Sequence, residues 1–248
     1  MPYRVDYLAG LLVVGALIGW AVGRRAPERT ARGYYVVSVA AVAARAAGTF
    51  AYAIFGFMPV TITAWAIARD ANNVIVGALL GLAMRDRAVL REPALLRALS
   101  VSTGLWFIAG GITSSFASDS MTQFFVQSGY APAFFKLIVT VEVLGGAALL
   151  LPQAVALGCA MLMIDMLGAI ETHAHNGDGI HADMDAIAIL IRLVIIAALW
   201  LITWRPALPP RRAIALVAAG SAVCLTIAIT GAHVVRALST VVPAATSP

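Results

Sequence analysis

One lysine, two cysteines and twelve acidic side chains in 248 residues are the scarcest chemistry in this chain. Charged residues make up only 12% of it and hydrophobic residues 61%, against roughly 25% charged in a soluble domain. The polar surface that a water-soluble fold needs is missing. Polar connections run to about a dozen residues at most, too short for an independent soluble core, so any soluble chemistry must come from a partner. Cys159 and Cys224 each lie inside an apolar run, and no disulfide framework is expected from them. The GxxxxGK[ST], CxxCH and HExxH patterns are all lacking, which leaves ATP-driven pumping, c-type haem and that class of metalloprotease without support. The net charge of +5 rests on sixteen arginines, most of them between apolar runs. They report membrane topology and give no reason to expect a nucleic-acid partner.

What is present is apolar sequence, with a mean hydropathy of +0.91. The primary partner is therefore the lipid bilayer, and the expected fold class is an all-α, polytopic membrane helical bundle. A spanning helix needs about 20 mostly apolar residues, and eight segments qualify: roughly 6–22, 34–56, 59–83, 98–116, 132–151, 154–172, 185–204 and 213–236. Only GFMP separates the second from the third and only LPQ the fifth from the sixth. Proline ends a helix at both places, so each pair reads as a hairpin.

Arginine placement orients the path. Arg24, Arg25, Arg29 and Arg32 follow the first span, Arg85, Arg87, Arg91 and Arg97 the third, and Arg205, Arg211 and Arg212 the seventh. All three loops fall on one side of an eight-span path. Residues 117–131 and 173–184, on the other side, contain no lysine or arginine. The expectation is a multi-pass protein of a bacterial-type plasma (inner) membrane with both termini outward. MPYR ahead of an apolar run resembles a signal peptide, but GRRAPERTAR follows that run directly and predicts a retained anchor.

Each ionisable side chain at mid-bilayer costs at least about 2.5 kcal/mol unless it is paired or faces a cavity. The spans carry Arg45, Arg69, Asp70, Glu142, Asp165 and Arg192, three positive and three negative. One reading makes them ion pairs that fix helix packing. The other makes them a polar interior that carries protons or binds a polar headgroup, with Glu142, Asp165, Arg69 and Arg192 as the reactive set. Thr61, Trp65, Arg69 and Asn72 recur at helical spacing and share one face of the third span, with Asn73 beside them. Arg45, Trp65 and Asn72 are accordingly candidates to bind a cofactor. Asp185 and Arg192 share a face of the seventh span about 10 Å apart, so a partner for Arg192 is expected from another helix, Glu142 or Asp165.

The sixth span places Cys159, Met163, Met166 and His173 on one stripe, which suits copper(I) but is equally the pattern of adaptable core filler. Beyond it, residues 171–186 read ETHAHNGDGIHADMDA and hold three of the four histidines. NGDG is a strong turn former that folds the two arms of this stretch together. His173, His175, His181 and Asp183 are then candidate ligands for one metal ion, or titratable groups that respond near neutral pH.

Residues 101–204 also carry an ordered set of features: STGLWFIAGGITSSF, then FFVQSGYAPAFFK, then IVTVEVLGGAALLLP, then MIDMLGAIETHAH and a further span. The set resembles the DoxX-like family of small four-helix membrane proteins, and the most specific piece is Glu142 followed by Gly145 and Gly146, after Gly129 and Pro132. Where many members close the first of their four spans with lysine, this chain has Ser114, Ser115 and Phe116. The resemblance implies a four-helix unit over 98–204; the three N-terminal helices over 1–97 and the last helix and tail over 205–248, expected from the apolar runs, lie outside that unit. It further implies a membrane subunit of a quinone-linked redox system, working with other redox or membrane proteins. A transporter or channel for a small polar solute or ion, and a non-catalytic assembly or anchoring subunit, are the alternatives that the charges equally allow.

Overall fold

The structure, a computed structural model, describes residues 5–22, 36, 40, 43, 47, 58–116, 118–180, 182–205 and 208–241. Among these the chain is helical and contains no strand. We number the helices α1 (Val5–Val22), α2 (Met58–Arg85), α3 (Pro93–Phe116), α4 (Ser118–Gln127), α5 (Phe134–Leu150), α6 (Val155–Asn176), α7 (Met184–Trp204) and α8 (Pro210–Val241). The second expected span, 34–56, and Arg45 within it lie largely or wholly outside the described residues. Four helices, 93–116, 155–176, 184–204 and 211–240, are long and apolar enough to cross a bilayer, and Asp6–Val22 is a shorter apolar helix. This is an integral membrane protein with several apolar helices.

The helix boundaries follow local chemistry. The side chain of Asp86 accepts the Ala88 amide at 2.9 Å and starts a short 3-10 turn over Arg87–Arg91. Pro93 then opens α3 at a position where a missing N–H costs nothing. Gly177 ends α6 in the left-handed region, φ 74°, with the Gly177 and Asp178 amides returning to the carbonyls of Ala174 and His173. That Schellman-type ending is the turn that NGDG predicts.

One expectation needs correction. Residues 117–131 do not form a plain loop, because Ser118–Gln127 is helical. At about 1.5 Å per residue it is roughly 15 Å long, half of what a crossing needs. The missed signal is Met121, Phe124 and Phe125, an i, i+3, i+4 apolar stripe under a polar face.

Glycine sets the closest helix contacts. α1 and α2 run parallel, with Gly15 and Gly19 against Val74 and Ala78, and Gly77 and Gly81 against Leu12 and Ala16. A Cβ at any of these four would overlap the facing backbone. α3 runs antiparallel to α5, where Gly104 and Gly146 meet: a Cβ on Gly146 would stand 2.7 Å from the Gly104 carbonyl oxygen. On the other side of α5, Gly145 faces Leu162, and the Gly145 carbonyl oxygen would be 2.8 Å from a Cβ on Gly158 of α6. Gly145 and Gly146 therefore let α5 lie tight against two neighbours at once. α7 and α8 complete the packing around α6, and Leu149, Leu162, Leu193 and Ile196 are fully buried at its centre.

Candidate functional site

Glu142 precedes Gly145 and Gly146 by three and four residues, so it lies on the face of α5 that those glycines bring against α3 and α6. Its Oε2 would be 3.4 Å from a Cβ on Gly111 of α3. This position makes Glu142 part of the wall of two cavities. The first, of about 140 Å³, is lined by Arg69, Asn73, Trp106, Glu142, Asp185 and Arg192, among others. The second, of about 390 Å³, has Glu142 and Asp165 in its wall together with Phe124, Phe125, Phe134, Phe135, Tyr130 and His173.

The first cavity gathers the charges expected from the third and seventh spans. Arg69 Nε donates to Asp70 Oδ1 at 3.2 Å, and Arg69 Nη1 lies 4.0 Å from Asp185 Oδ1. Asp70 also accepts the Tyr7 hydroxyl at 2.6 Å, which ties α1 to the group. Arg192 is buried and donates to Asn73 Oδ1 at 3.5 Å. Of the two acids expected near Arg192, Glu142 shares its cavity and Asp165 does not. The side chains of Trp65 and Asn72 lie outside the described residues.

Asp165 instead faces the aromatic cavity. It is buried, and its Oδ2 has no hydrogen-bond partner among the described residues. The stripe it sits beside resolves as packing: Cys159, Met163 and Met166 belong to the main core.

The end of α6 carries a cluster that the sequence reading did not assemble. Arg236 of α8 donates Nη1 to Glu171 Oε1 at 2.7 Å and Nη2 to Glu171 Oε2 at 2.9 Å, and its Nε donates to the Ser128 carbonyl at 3.1 Å. The guanidinium lies 4.6 Å over the Tyr130 ring, which itself stacks on Phe134 at 4.4 Å. Thr172 gives its hydroxyl proton to the Gly168 carbonyl at 2.8 Å, so the 3.0 Å contact with Tyr130 is one in which Tyr130 donates. Burial pushes the Tyr130 hydroxyl pKa up, against the opposing effects of Thr172 and Arg236, and keeps it a donor. This knot closes one end of the aromatic cavity, which Tyr130, Thr172 and His173 line.

The outward loop expected over 173–184 begins later, at Gly177, because α6 runs on to Asn176 and carries His173 and His175 in its last turn; His173 Nδ1 pairs with Asp178 Oδ2 at 2.7 Å, and the ring stands 5.5 Å from Phe124. His175 is exposed and Asp183 is buried; His181 lies outside the described residues. Among the described residues no three His, Cys, Asp or Glu side chains converge as a metal-ligand group. Burial pushes the Asp183 carboxyl above its ordinary range; His173 pulls it down and Asp178 pushes it up. A raised folded-state pKa means the stability tied to this group is complete below the ordinary carboxylate value of about 4 and is lost as pH rises through the raised one. Asp183→Asn should therefore leave thermal stability unchanged near pH 3 and raise it at neutral pH. A loss at neutral pH in a melting experiment would show that the charged form is needed.

No curated protein and no solved structure matches the chain. The profile of the DoxX-like family does match, over residues 98–199, a stretch that runs from within α3 to within α7. It contains Glu142, Asp165, Glu171 and Arg192, and leaves out Arg69 and Arg236. Residues 98–199 of this membrane protein, the stretch that carries Glu142 and part of the wall of both cavities, are thus similar to the DoxX-like family.

Proposed function

We propose that this chain is an integral membrane subunit of a quinone-linked redox system, set in a bacterial-type plasma membrane by eight spans with both termini outward. The observation that carries the reading is the aromatic-lined cavity of about 390 Å³ with carboxyls in its wall. Stacked and edge-on phenyl rings suit a planar apolar ring. Polar groups set into an otherwise apolar wall are what fixes the orientation of such a ligand, and here Glu142, Asp165, Tyr130 and His173 are available to a pair of ring carbonyl oxygens. Arg69 and Arg192 line a cavity with Glu142, and the 171–185 stretch, the end of α6 and the turn after it, is the face offered to an external donor or partner protein. The eight-span path is supported by the one-sided arginines and by the parallel course of α1 and α2, which suits one crossing between them. The unit of spans 4–7 is supported by the mutual packing of α3, α5, α6 and α7.

The test is to purify the protein from its native membrane and extract its bound lipids. Quinone is expected in near-stoichiometric amount, and Phe125→Ala or Asp165→Asn should lower occupancy about tenfold or more, the equivalent of about 1.4 kcal/mol. A protein that is quinone-free and does not take up added quinone overturns this reading. Solute flux through liposomes would then identify a transporter, and neither property an assembly subunit.

A further inference from the structure

Packing explains Gly104, Gly146 and Gly158, because a Cβ on any of them would crowd the facing main chain. It does not explain Gly168 of α6 or Gly231 of α8, where a Cβ would meet nothing within 4 Å. Both stand in the wall of the aromatic cavity. Gly168 follows Asp165 by three residues and precedes Thr172 by four, so the three share one face of α6; Ala228, Gly231, Ala232 and Val235 share one face of α8 in the same way. All of these line the cavity, and phenyl rings of α4 and α5 line it with them. The cavity is thus a slot, with rings on the α4 and α5 wall and little side chain beyond Cβ along much of the α6 and α8 wall.

The slot reaches the lipid. α5 and α8 both pack on α6 but scarcely on each other. They are tied at one end, where the Ala131 amide donates to Ser239 Oγ at 2.9 Å and Arg236 holds Glu171. Elsewhere the wall comes to the surface: Leu137 of α5 and Ile227 of α8 line the cavity and are 52% and 49% exposed, and Gly231 is exposed as well. Ile227 and Gly231 lie well inside the apolar helix 211–240, which is long enough to cross a bilayer, so this mouth opens at membrane depth. Asp165 supplies the polar contact in the wall. It is 7% exposed, and its Oδ2 has no hydrogen-bond partner among the described residues. A buried polar atom left without a partner is costly, and a polar group on a ligand would remove that cost.

We propose that the aromatic cavity is loaded sideways from the bilayer, between α5 and α8, by a lipid-dissolved molecule made of a planar ring and an apolar chain. The ring lies in the space that Gly168 and Gly231 leave clear, a polar substituent on it meets Asp165, and the chain runs out past Leu137 and Ile227. The two glycines are specificity-determining residues, since they set how thick a ring can enter. That the ring is a quinone rests on the reading above; the lateral route and the role of the glycines do not.

The test is photolabelling of the intact protein in lipid nanodiscs with a small aryl diazirine dissolved in the lipid, with glutathione in the buffer to consume any probe outside it. Mass spectrometry then maps the insertion sites. Wild type should be labelled at the buried Asp165 and Phe135 as well as at the exposed Val223 of α8. Gly168→Leu combined with Gly231→Leu should lose the labels at Asp165 and Phe135, keep that at Val223 and melt no lower than wild type. Gly231→Leu alone serves if the double variant fails to fold. Gly220→Leu, also on α8 with nothing within 4 Å of its Cβ, should change none of the labels. No insertion at Asp165 or Phe135 in wild type, or insertion there that survives the leucines, overturns the proposal. A decyl-tailed benzoquinone added before illumination should protect Asp165 and Phe135. If it does not, while the leucines still do, the lateral route stands and the quinone reading falls.

Discussion

Arg236→Leu should destabilise the protein by about 3–5 kcal/mol, the range for removing one partner of a buried ion pair. The side chains of Arg236 and Glu171 are 11% and 16% exposed, and the arginine leaves both Glu171 oxygens, the Ser128 carbonyl and the Tyr130 ring face without their partner when it goes. The loss comes mainly from the abandoned carboxylate. Adding Glu171→Leu to Arg236→Leu should therefore restore most of the stability, because an apolar pair of similar volume is often as stable as the ions it replaces. Thermal unfolding of both single variants and the double variant in one detergent measures this. If the double variant were as unstable as the sum of the singles, the salt bridge would not be what joins α8 to α6.

The second large effect is expected at the α1–α2 contact. Gly81→Leu pushes a side chain into the Ala16 backbone, and Gly19→Leu into that of Ala78. Backbone cannot step aside as a flexible side chain does. The two helices must separate, at a cost above the roughly 1–3 kcal/mol of ordinary overpacking. Gly10→Ala on the same α1 is the control, since its Cβ would meet nothing within 4 Å, and it should be neutral or stabilising by up to about 1 kcal/mol. Cross-linking between cysteines placed along α1 and α2 should fall in the leucine variants and persist in the control. Retained cross-linking in all three would mean that the glycines do not set this contact.

Much of the fold was legible because a bilayer demands long apolar runs and few charges, and the tight ends at Gly177 and Pro93 follow from local backbone chemistry. The α1–α2 contact was legible too but went unread: Gly15 with Gly19, and Gly77 with Gly81, are both small residues four apart, the spacing that lets membrane helices approach closely. α4 escaped because a ten-residue helix leaves no span-length signature. The site was legible in its parts and not in its grouping. Glu142, Asp165 and Arg192 stood out as charges in apolar sequence, but which pair shares a cavity depends on helix rotation, and it is Glu142, rather than Asp165, that lines the cavity of Arg192. Arg236 is the last residue of the expected span 213–236. Its partner Glu171 lies 65 residues away, and nothing local in either segment points to the other.

The glycine pair after Glu142 also has a mechanical consequence. Where Gly146 meets Gly104 and Gly145 meets Gly158, α5 touches its neighbours nearly main chain to main chain, with no rotamer at those points to absorb a shift. Any displacement of α5 is handed on to α3 and α6 almost undiminished, so the three helices behave as one stiff partition. The backbone beneath Glu142 is the least compliant part of that partition. Which cavity the carboxyl faces is then decided by torsions of one side chain, on the nanosecond scale of rotamer exchange, with no helix required to move.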